Sequence, residues 1–412
     1  MDIAEAKRRV CDEIDRLAPE LLDVSHRIHA RPELGFEEHH AHDLLTGVLD
    51  DHGLAVQRRA YGVDTAFEAR AGTGDGPLVA VVCEYDALPG IGHACGHNII
   101  AASGLGAGLA LASMAGEADG RVAVVGTPAE EGGGGKELML RQGAFSDIDA
   151  AMMVHPANHE LSVFHAVAVH RVTASYTGAA AHAAAAPEKG RNALDAAVLG
   201  YNAIAALRQH IRDDERIHGV FTDGGAKPNI VPVTAATEWY VRSTNLTSLE
   251  PLKERVAACL QAGAAAAGCE VDLEWADPAY ADMNDNPTLR DRYLANLGTL
   301  GRTLASDPGA RVIGSTDMGN VSYVVPSIHP MIKVAPDDVA IHTPHFAEYA
   351  RGPSGDAAVI DGAKALAMTA LDCWLDDAVL PAMQAEFSEA ELARPWPERP
   401  VSAANKSGNE RH

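Results

Sequence analysis

Three short, largely apolar runs, each followed by residues able to carry chemistry, constrain this chain more than any other feature. They are Leu78 to Cys83, Arg121 to Gly126 and Ala150 to Val154. A continuous apolar run this short, bounded by turn residues, suits a strand buried on both faces. The sequence then turns polar and helical, most clearly from Ile99 to Ala115 after the first run. Strand, polar loop and helix in repetition is the pattern of an open, mostly parallel α/β sheet. Such sheets hold ligands beyond the carboxyl ends of their strands. At those ends the chain carries Asp86, Glu130, Glu131 and His155, so three strand tips deliver carboxylate or imidazole to one sheet edge.

Between the first strand and its helix lies Gly92-His93-Ala94-Cys95-Gly96-His97-Asn98. Thiolate and neutral imidazole bind borderline-soft divalent metals well, and flanking glycines let neighbouring ligands converge. Alone, the heptapeptide fits a tight turn around a buried cysteine equally well. Glu130-Glu131 is the second strong feature. Adjacent carboxylates on extended backbone point in different directions, so one can hold a metal while the other faces a water. A solvated acidic turn is the plainer account in so acidic a chain. Position favours chemistry: a buried strand precedes the pair, and Gly132 to Gly135 follow it and leave room for a substrate to approach.

The 412 residues exceed what one simple core accommodates, and two domains are expected. Helical spacing runs from Ile3 to about Arg31, with a break expected near Pro19, and again from Glu37 to His52 before Gly53. Leu54 to Ala71 alternates as strands do. Beyond Val167 the pattern changes. Val167 to Tyr176, Asn229 to Arg242 and Val271 to Trp275 are strand-like, with helices over Asn192 to Arg212 and Leu249 to Ala267. This reads as a β-α-β-β-α-β, ferredoxin-like insert. The expected division is a catalytic domain of residues 1–167 and 283–390, an inserted lid and dimerisation domain of 168–282, and a loosely ordered tail of 391–412. A long helix from Asp356 to Leu380 closes the core.

Hydrophobic content of 47%, charged content of 22% and a net charge of −24 describe an ordinary globular protein with a strongly acidic surface. That surface repels phosphate backbones and anionic lipid, which disfavours nucleic acid and membranes as partners. The six cysteines form no C-x-x-C pair, no basic-then-apolar leader opens the sequence, and no apolar stretch nears bilayer-spanning length. A reduced, cytoplasmic protein is the expectation. Gly135-Lys136 is not a P-loop, because Glu130 and Glu137 stand where glycine and Ser/Thr are required. Gly104 to Gly108 fails the dinucleotide pattern, and neither H-E-x-x-H nor G-x-S-x-G occurs. A Cys95 nucleophile with His97 is conceivable, but the nearby acids favour a metal. His155, His182, His342 and His345 are each ordinary alone. Together with Cys95 and the glutamate pair they are hard to explain as surface.

Cys83-Glu84-Tyr85-Asp86-Ala87-Leu88-Pro89, the Cys/His heptapeptide, Gly126-Thr127-Pro128-Ala129-Glu130-Glu131-Gly132 and Met153-Val154-His155-Pro156 jointly carry a family resemblance. They are similar to the dinuclear metallopeptidase family of acetylornithine deacetylase, aminoacylase and glutamate carboxypeptidase, in the amidohydrolase branch of hippurate hydrolase and the indole-acetyl-amino-acid hydrolases. Gly314-Ser315-Thr316-Asp317-Met318-Gly319-Asn320-Val321-Ser322 resembles the subgroup of aminobenzoyl-glutamate hydrolase and the β-alanyl-lysine-type dipeptidases. The resemblance runs in order from about residue 20 to residue 375.

The resemblance implies a metallo-amidohydrolase that cleaves an N-acyl amino acid or dipeptide-like amide with two divalent ions per subunit, of zinc, manganese, cobalt or nickel. By the same resemblance Cys95 bridges the ions, and His97, Glu131, His155 and His342 complete the ligands. His345, three residues on, competes with His342 for its place. Asp86 orients an imidazole, and Glu130 is the general base. His182, Asn229 and Arg242 contact substrate from the lid, the first two across a dimer interface, which implies a homodimer. Asn98, where much of the branch has aspartate, and His93 are not read as ligands. Two other readings stay open: a metal-binding homologue without catalysis, and a hydrolase of carbamoyl or ureido bonds.

Overall fold

The computed structural model describes residues 1–304 and 313–393. These form two compact units, one of 1–165 with 283–393 and one of 166–282. The first is built on a six-stranded sheet in the order Ala55–Arg58, Phe67–Ala71, Arg121–Thr127, Leu78–Glu84, Ala150–Met152, Ser327–Ile328. The last four pair in parallel, and Phe67–Ala71 runs antiparallel to both its neighbours. Leu78–Glu84 is buried at every position, which is why its sequence shows no alternation. Past the sheet edge, His155–Ala157 and Met331–Lys333 continue as a parallel pair in which Met331 faces His155.

Helices Ile3–Ala30, His97–Ala112 and Pro353–Leu375 pack on one another beside this sheet. Ile3–Ala30 buries Val10, Ile14, Leu17, Leu21, Val24 and Ile28 at helical spacing. It continues through Pro19, where a break was expected. An interior proline costs about 3 kcal/mol, and a buried Leu or Ile stabilises by roughly 1.5–3 kcal/mol, so the stripe on either side outweighs it. The closing helix starts at Pro353, earlier than its sequence pattern, and ends at Leu375. A further helix, Val379–Ala393, reaches past residue 391, where a loose tail was expected to begin. The rest of that tail lies outside the described residues.

The second unit is a four-stranded antiparallel sheet in the order Glu270–Trp275, Ala168–Thr177, Thr234–Ser243, Arg216–Asp223. Helices Ala193–Leu207 and Leu246–Ala267 pack on each other and on the strand Thr234–Ser243. Chain order is β-α-β-β-α-β, as in ferredoxin-like units. One strand, Arg216–Asp223, had no counterpart among the sequence patterns. It is an edge strand with most positions exposed or half-exposed, so burial imposes no alternation on it. Among the described residues no helix is long and apolar enough to cross a membrane.

Candidate metal centre

The heptapeptide closes the loop after the strand Leu78–Glu84 and opens the helix His97–Ala112 with its last two residues. Gly96 caps that helix at φ +80, and a side chain there would meet the Pro156 ring at 2.5 Å. Glycine at this position lets the Cys95 loop lie against the His155-Pro156 tip. The third loop arrives through backbone pairing, because the His342 N–H donates to the Ala94 carbonyl at 2.8 Å. His342 holds φ +64, a left-handed backbone unusual for a residue with a side chain. Two glycines after Glu131 have another role than the expected space for substrate. A Cβ at Gly133 would lie 2.6 Å from the Ala129 methyl, and one at Gly135 would lie 1.9 Å from the Pro128 carbonyl. The chain itself fills that room.

These loops assemble three overlapping groups that could hold a metal ion: Cys95, His97 and His155; Cys95, Glu131 and His342; His97, Glu130 and Glu131. The Cys95 Sγ lies 3.4 Å from His155 Nε2 and 3.3 Å from His342 Nε2, which is 3.3 Å from Glu131 Oε1. Ligands bound to one tetrahedral ion at about 2.0–2.3 Å stand roughly 3.3–3.7 Å apart, so these spacings fit the edges of coordination polyhedra. The first two groups share Cys95. His345 is exposed, packs on Tyr349 and joins no group.

Each imidazole is presented with its Nε2 toward the cluster. His97 Nδ1 donates to Asp86 Oδ1 at 3.0 Å, and His155 Nδ1 donates to the Pro156 carbonyl at 2.7 Å. His97 Nε2 is buried without a hydrogen-bond partner. An orphaned acceptor nitrogen inside a ring of acids and sulfur fits a divalent cation. Burial, with His329 and His97 nearby, pushes His155 down to about 3, which keeps it neutral as a ligand must be. Burial, Glu84 and Glu131 together push the Glu130 carboxyl well up, and burial with Glu131 does the same to the Cys95 thiol.

Some participants had no motif to announce them. Lys136 is fully buried, its ammonium 2.5 Å from Glu84 and 2.6 Å from Asp317, while Glu84 lies 3.7 Å from His97 Nε2. Lys136 thus sets a fixed cation beneath the acid cluster. His329 is buried with both ring nitrogens unpartnered, its ring centroid 5.2 Å from that of His155. The signal for it was available: Ile328-His329-Pro330 repeats the Val154-His155-Pro156 pattern at a neighbouring strand tip. Asn98 is buried and donates to Ser25 and to the Ala350 carbonyl, and His93 is buried against His29.

His182, Asn229 and Arg242 belong to the second unit. His182 bridges to Ile230, and the Asn229 carbonyl accepts from Ala183, which sets His182 and Asn229 side by side on exposed loops. His182 Nδ1 accepts from the Ala184 and Ala185 amides at 3.3 and 3.2 Å. The ring proton therefore sits on Nε2. Arg242 is on the strand Thr234–Ser243, its guanidinium 5.7 Å from the Tyr240 ring centroid.

A family model for peptidase family M20/M25/M40 matches residues 80–372, most of the chain. The chain belongs to that family. It is 41% identical to the Xaa-Arg dipeptidase of Mus musculus over 397 residues, covering 92% of each chain. It is 26% identical to a component of the p-aminobenzoyl-glutamate hydrolase of Escherichia coli, covering 95% of this chain and 97% of that one. A dinuclear metal-binding M20 peptidase from Bacillus subtilis shares the fold, with a TM-score of 0.67 at 19% identity over 87% of this chain and 98% of that one. The chain is accordingly a metal-dependent amidohydrolase of mixed α/β architecture.

In this M20 site Asp86 ties two candidate ligands together, accepting from His97 Nδ1 and, at 2.9 Å, from the Glu131 amide. Such outer partners are worth about 10–100-fold in metal affinity. Asp86→Ala is expected to weaken metal binding by that factor in calorimetric titration of apo-protein. Unchanged affinity would remove Asp86 from the centre.

Proposed function

We propose that this enzyme hydrolyses the amide bond of a dipeptide whose C-terminal residue is cationic, or of a closely similar N-acyl amino acid. What carries the reading is the pair of ligand groups sharing Cys95, with Glu130 beside them, its Oε2 4.0 Å from His97 Nε2. The substrate class is supported by the Xaa-Arg dipeptidase relative and by a net charge of −24, which attracts cations. Reduced cysteines and the acidic composition support a cytoplasmic setting.

In this reading Cys95, His97 and His155 hold one divalent ion, and Cys95, Glu131 and His342 hold the other. Zinc, manganese, cobalt and nickel all suit such donors. The bound ions supply Lewis acidity toward a water and toward the amide carbonyl. Glu130 takes a proton from the attacking water and returns it to the leaving amine. Burial, with Glu84 and Glu131 beside it, raises its affinity for protons above that of an ordinary carboxylate, the direction that suits a proton acceptor and donor. Asp86 holds His97 in the tautomer that leaves Nε2 free. The His182 Nε2–H is a donor for developing charge on the carbonyl oxygen. Asn229 adds a polar contact, and Arg242 pairs with the substrate carboxylate in forked geometry.

His182 and Asn229 are offered across a homodimer interface. Support comes from the edge strand Arg216–Asp223, where Val220 is 60% and Phe221 41% exposed, and from Val198 and Leu199 on the adjacent helix, each 41% exposed. An unpaired strand edge beside exposed apolar side chains is a common association surface.

The direct test is a panel of Xaa-Arg and Xaa-Lys dipeptides, aminobenzoyl-glutamate and N-carbamoyl amino acids, run on apo-protein with each metal restored. Release of free arginine or lysine is expected, and Glu130→Ala should abolish it at unchanged metal content. Ammonia release from the carbamoyl compounds alone, or turnover surviving in Glu130→Ala, would refute the proposal. For shared sites, inactive Glu130→Ala and His182→Ala proteins mixed and re-associated should regain up to about a quarter of wild-type activity, from random pairing in a two-fold dimer. No recovery on mixing would exclude sharing.

A further inference from the structure

We propose that Glu38 is a positioning residue for the proposed base: its buried carboxylate holds the Ala129 amide in a left-handed turn and so aims Glu130. The proposal rests on the reading of Glu130 as the base. Ala129 has φ +58 and is completely buried. A residue with a Cβ in that conformation carries roughly 1–3 kcal/mol of strain and persists only where its surroundings enforce it. Glu38 supplies the enforcement. One of its oxygens accepts the Ala129 N–H at 2.8 Å, and the other accepts the Thr65 hydroxyl at 2.8 Å.

Glu38 is 0% exposed, and both of these partners are neutral donors. Burial pushes its carboxyl up to about 7, so the fold retains at this point a group that is costly to keep charged. Stability alone is a poor reason to keep it there; an apolar residue of similar size would fill the space without that cost. The surroundings are shaped to the same turn. The Ala129 methyl lies where side chains at Gly35 and Gly133 would intrude, at 2.9 and 2.6 Å from their Cβ positions. The segment that carries Glu38 also braces the neighbouring loop, since the Glu33 carbonyl accepts the Ala87 N–H at 2.8 Å. One residue beyond Glu130, the Glu131 amide is fixed on Asp86. Glu130 is thus held between two carboxylate-to-amide clamps.

Glu130 and Glu131 both reach toward His97, and Glu131 also meets His342. The left-handed backbone at Ala129 sets how the chain enters this pair, and so where the Glu130 carboxylate lies. A displacement of about 1 Å in a reacting group can cost on the order of 100-fold in rate.

The test compares Glu38→Ala, Glu38→Gln and Thr65→Val with wild type and Glu130→Ala, using the full metal-loaded chain and a substrate from the panel. Readouts are kcat, KM, metal content and thermal stability. Glu38→Ala should lower kcat by roughly 30–100-fold, with KM and metal content near wild type. Glu38→Gln keeps an oxygen for the Ala129 amide and turns its NH2 to the Thr65 hydroxyl, so it should recover most of the rate. Thr65→Val should give an intermediate loss in kcat alone. Wild-type kcat in Glu38→Ala overturns the proposal. So does equal loss in the Ala and Gln variants accompanied by loss of metal, which is the mark of a scaffold residue. If Glu38→Ala does not fold, unchanged kcat in Thr65→Val overturns it. Full activity in Glu130→Ala would instead defeat the reading of Glu130 as the base, whatever the Glu38 variants do.

Discussion

The structure turns on a repulsion: too many acids meet at one largely buried sheet edge. Glu84, Asp86, Glu130 and Asp317 are buried there with the Cys95 thiol, and Glu131 is nearly so. Buried carboxylates close together cannot all stay ionised without cations. Among the described residues Lys136 supplies a permanent cation, between Glu84 and Asp317. The remainder of the cluster could hold divalent ions, and the buried, unpartnered His97 Nε2 suits one as a ligand atom. Charge balance thus links the fold of the strand tips to metal-dependent chemistry.

Much of this was legible in the sequence because all the candidate ligands except His342 follow a strand or lie in a glycine-flanked turn. Cys95, His97, Glu131, His155 and His342 could be named from motif and resemblance, and the structure brings all five together. The resemblance favoured His342 over His345, and the pairing of the His342 amide with the Ala94 carbonyl brings its loop to Cys95. Lys136 was visible only as the end of a failed P-loop. A buried lysine is recognised by the acids around it, and those acids come from positions as distant as Glu84 and Asp317. Glu38 was hidden for the same reason: its role depends on the backbone angle at Ala129, which no composition or spacing encodes.

Elements were legible to the extent that burial imposes a period on them. The all-buried strand Leu78–Glu84 and the striped helix Ile3–Ala30 announced themselves. The edge strand Arg216–Asp223 did not, because solvent tolerates either face. Pro19 misled in the opposite direction: a local preference for breaking the helix lost to packing along its whole length.

The central claim is that two cations complete the buried cluster. It is tested most directly by stripping the protein with a chelator, titrating zinc or manganese back, and following stoichiometry and melting temperature together. The account predicts two ions per chain and a marked rise in melting temperature, since a ligand at about 1,000 times its Kd adds roughly 4 kcal/mol of stability. Binding of no ion, or of ions that leave the melting temperature unchanged, would contradict it.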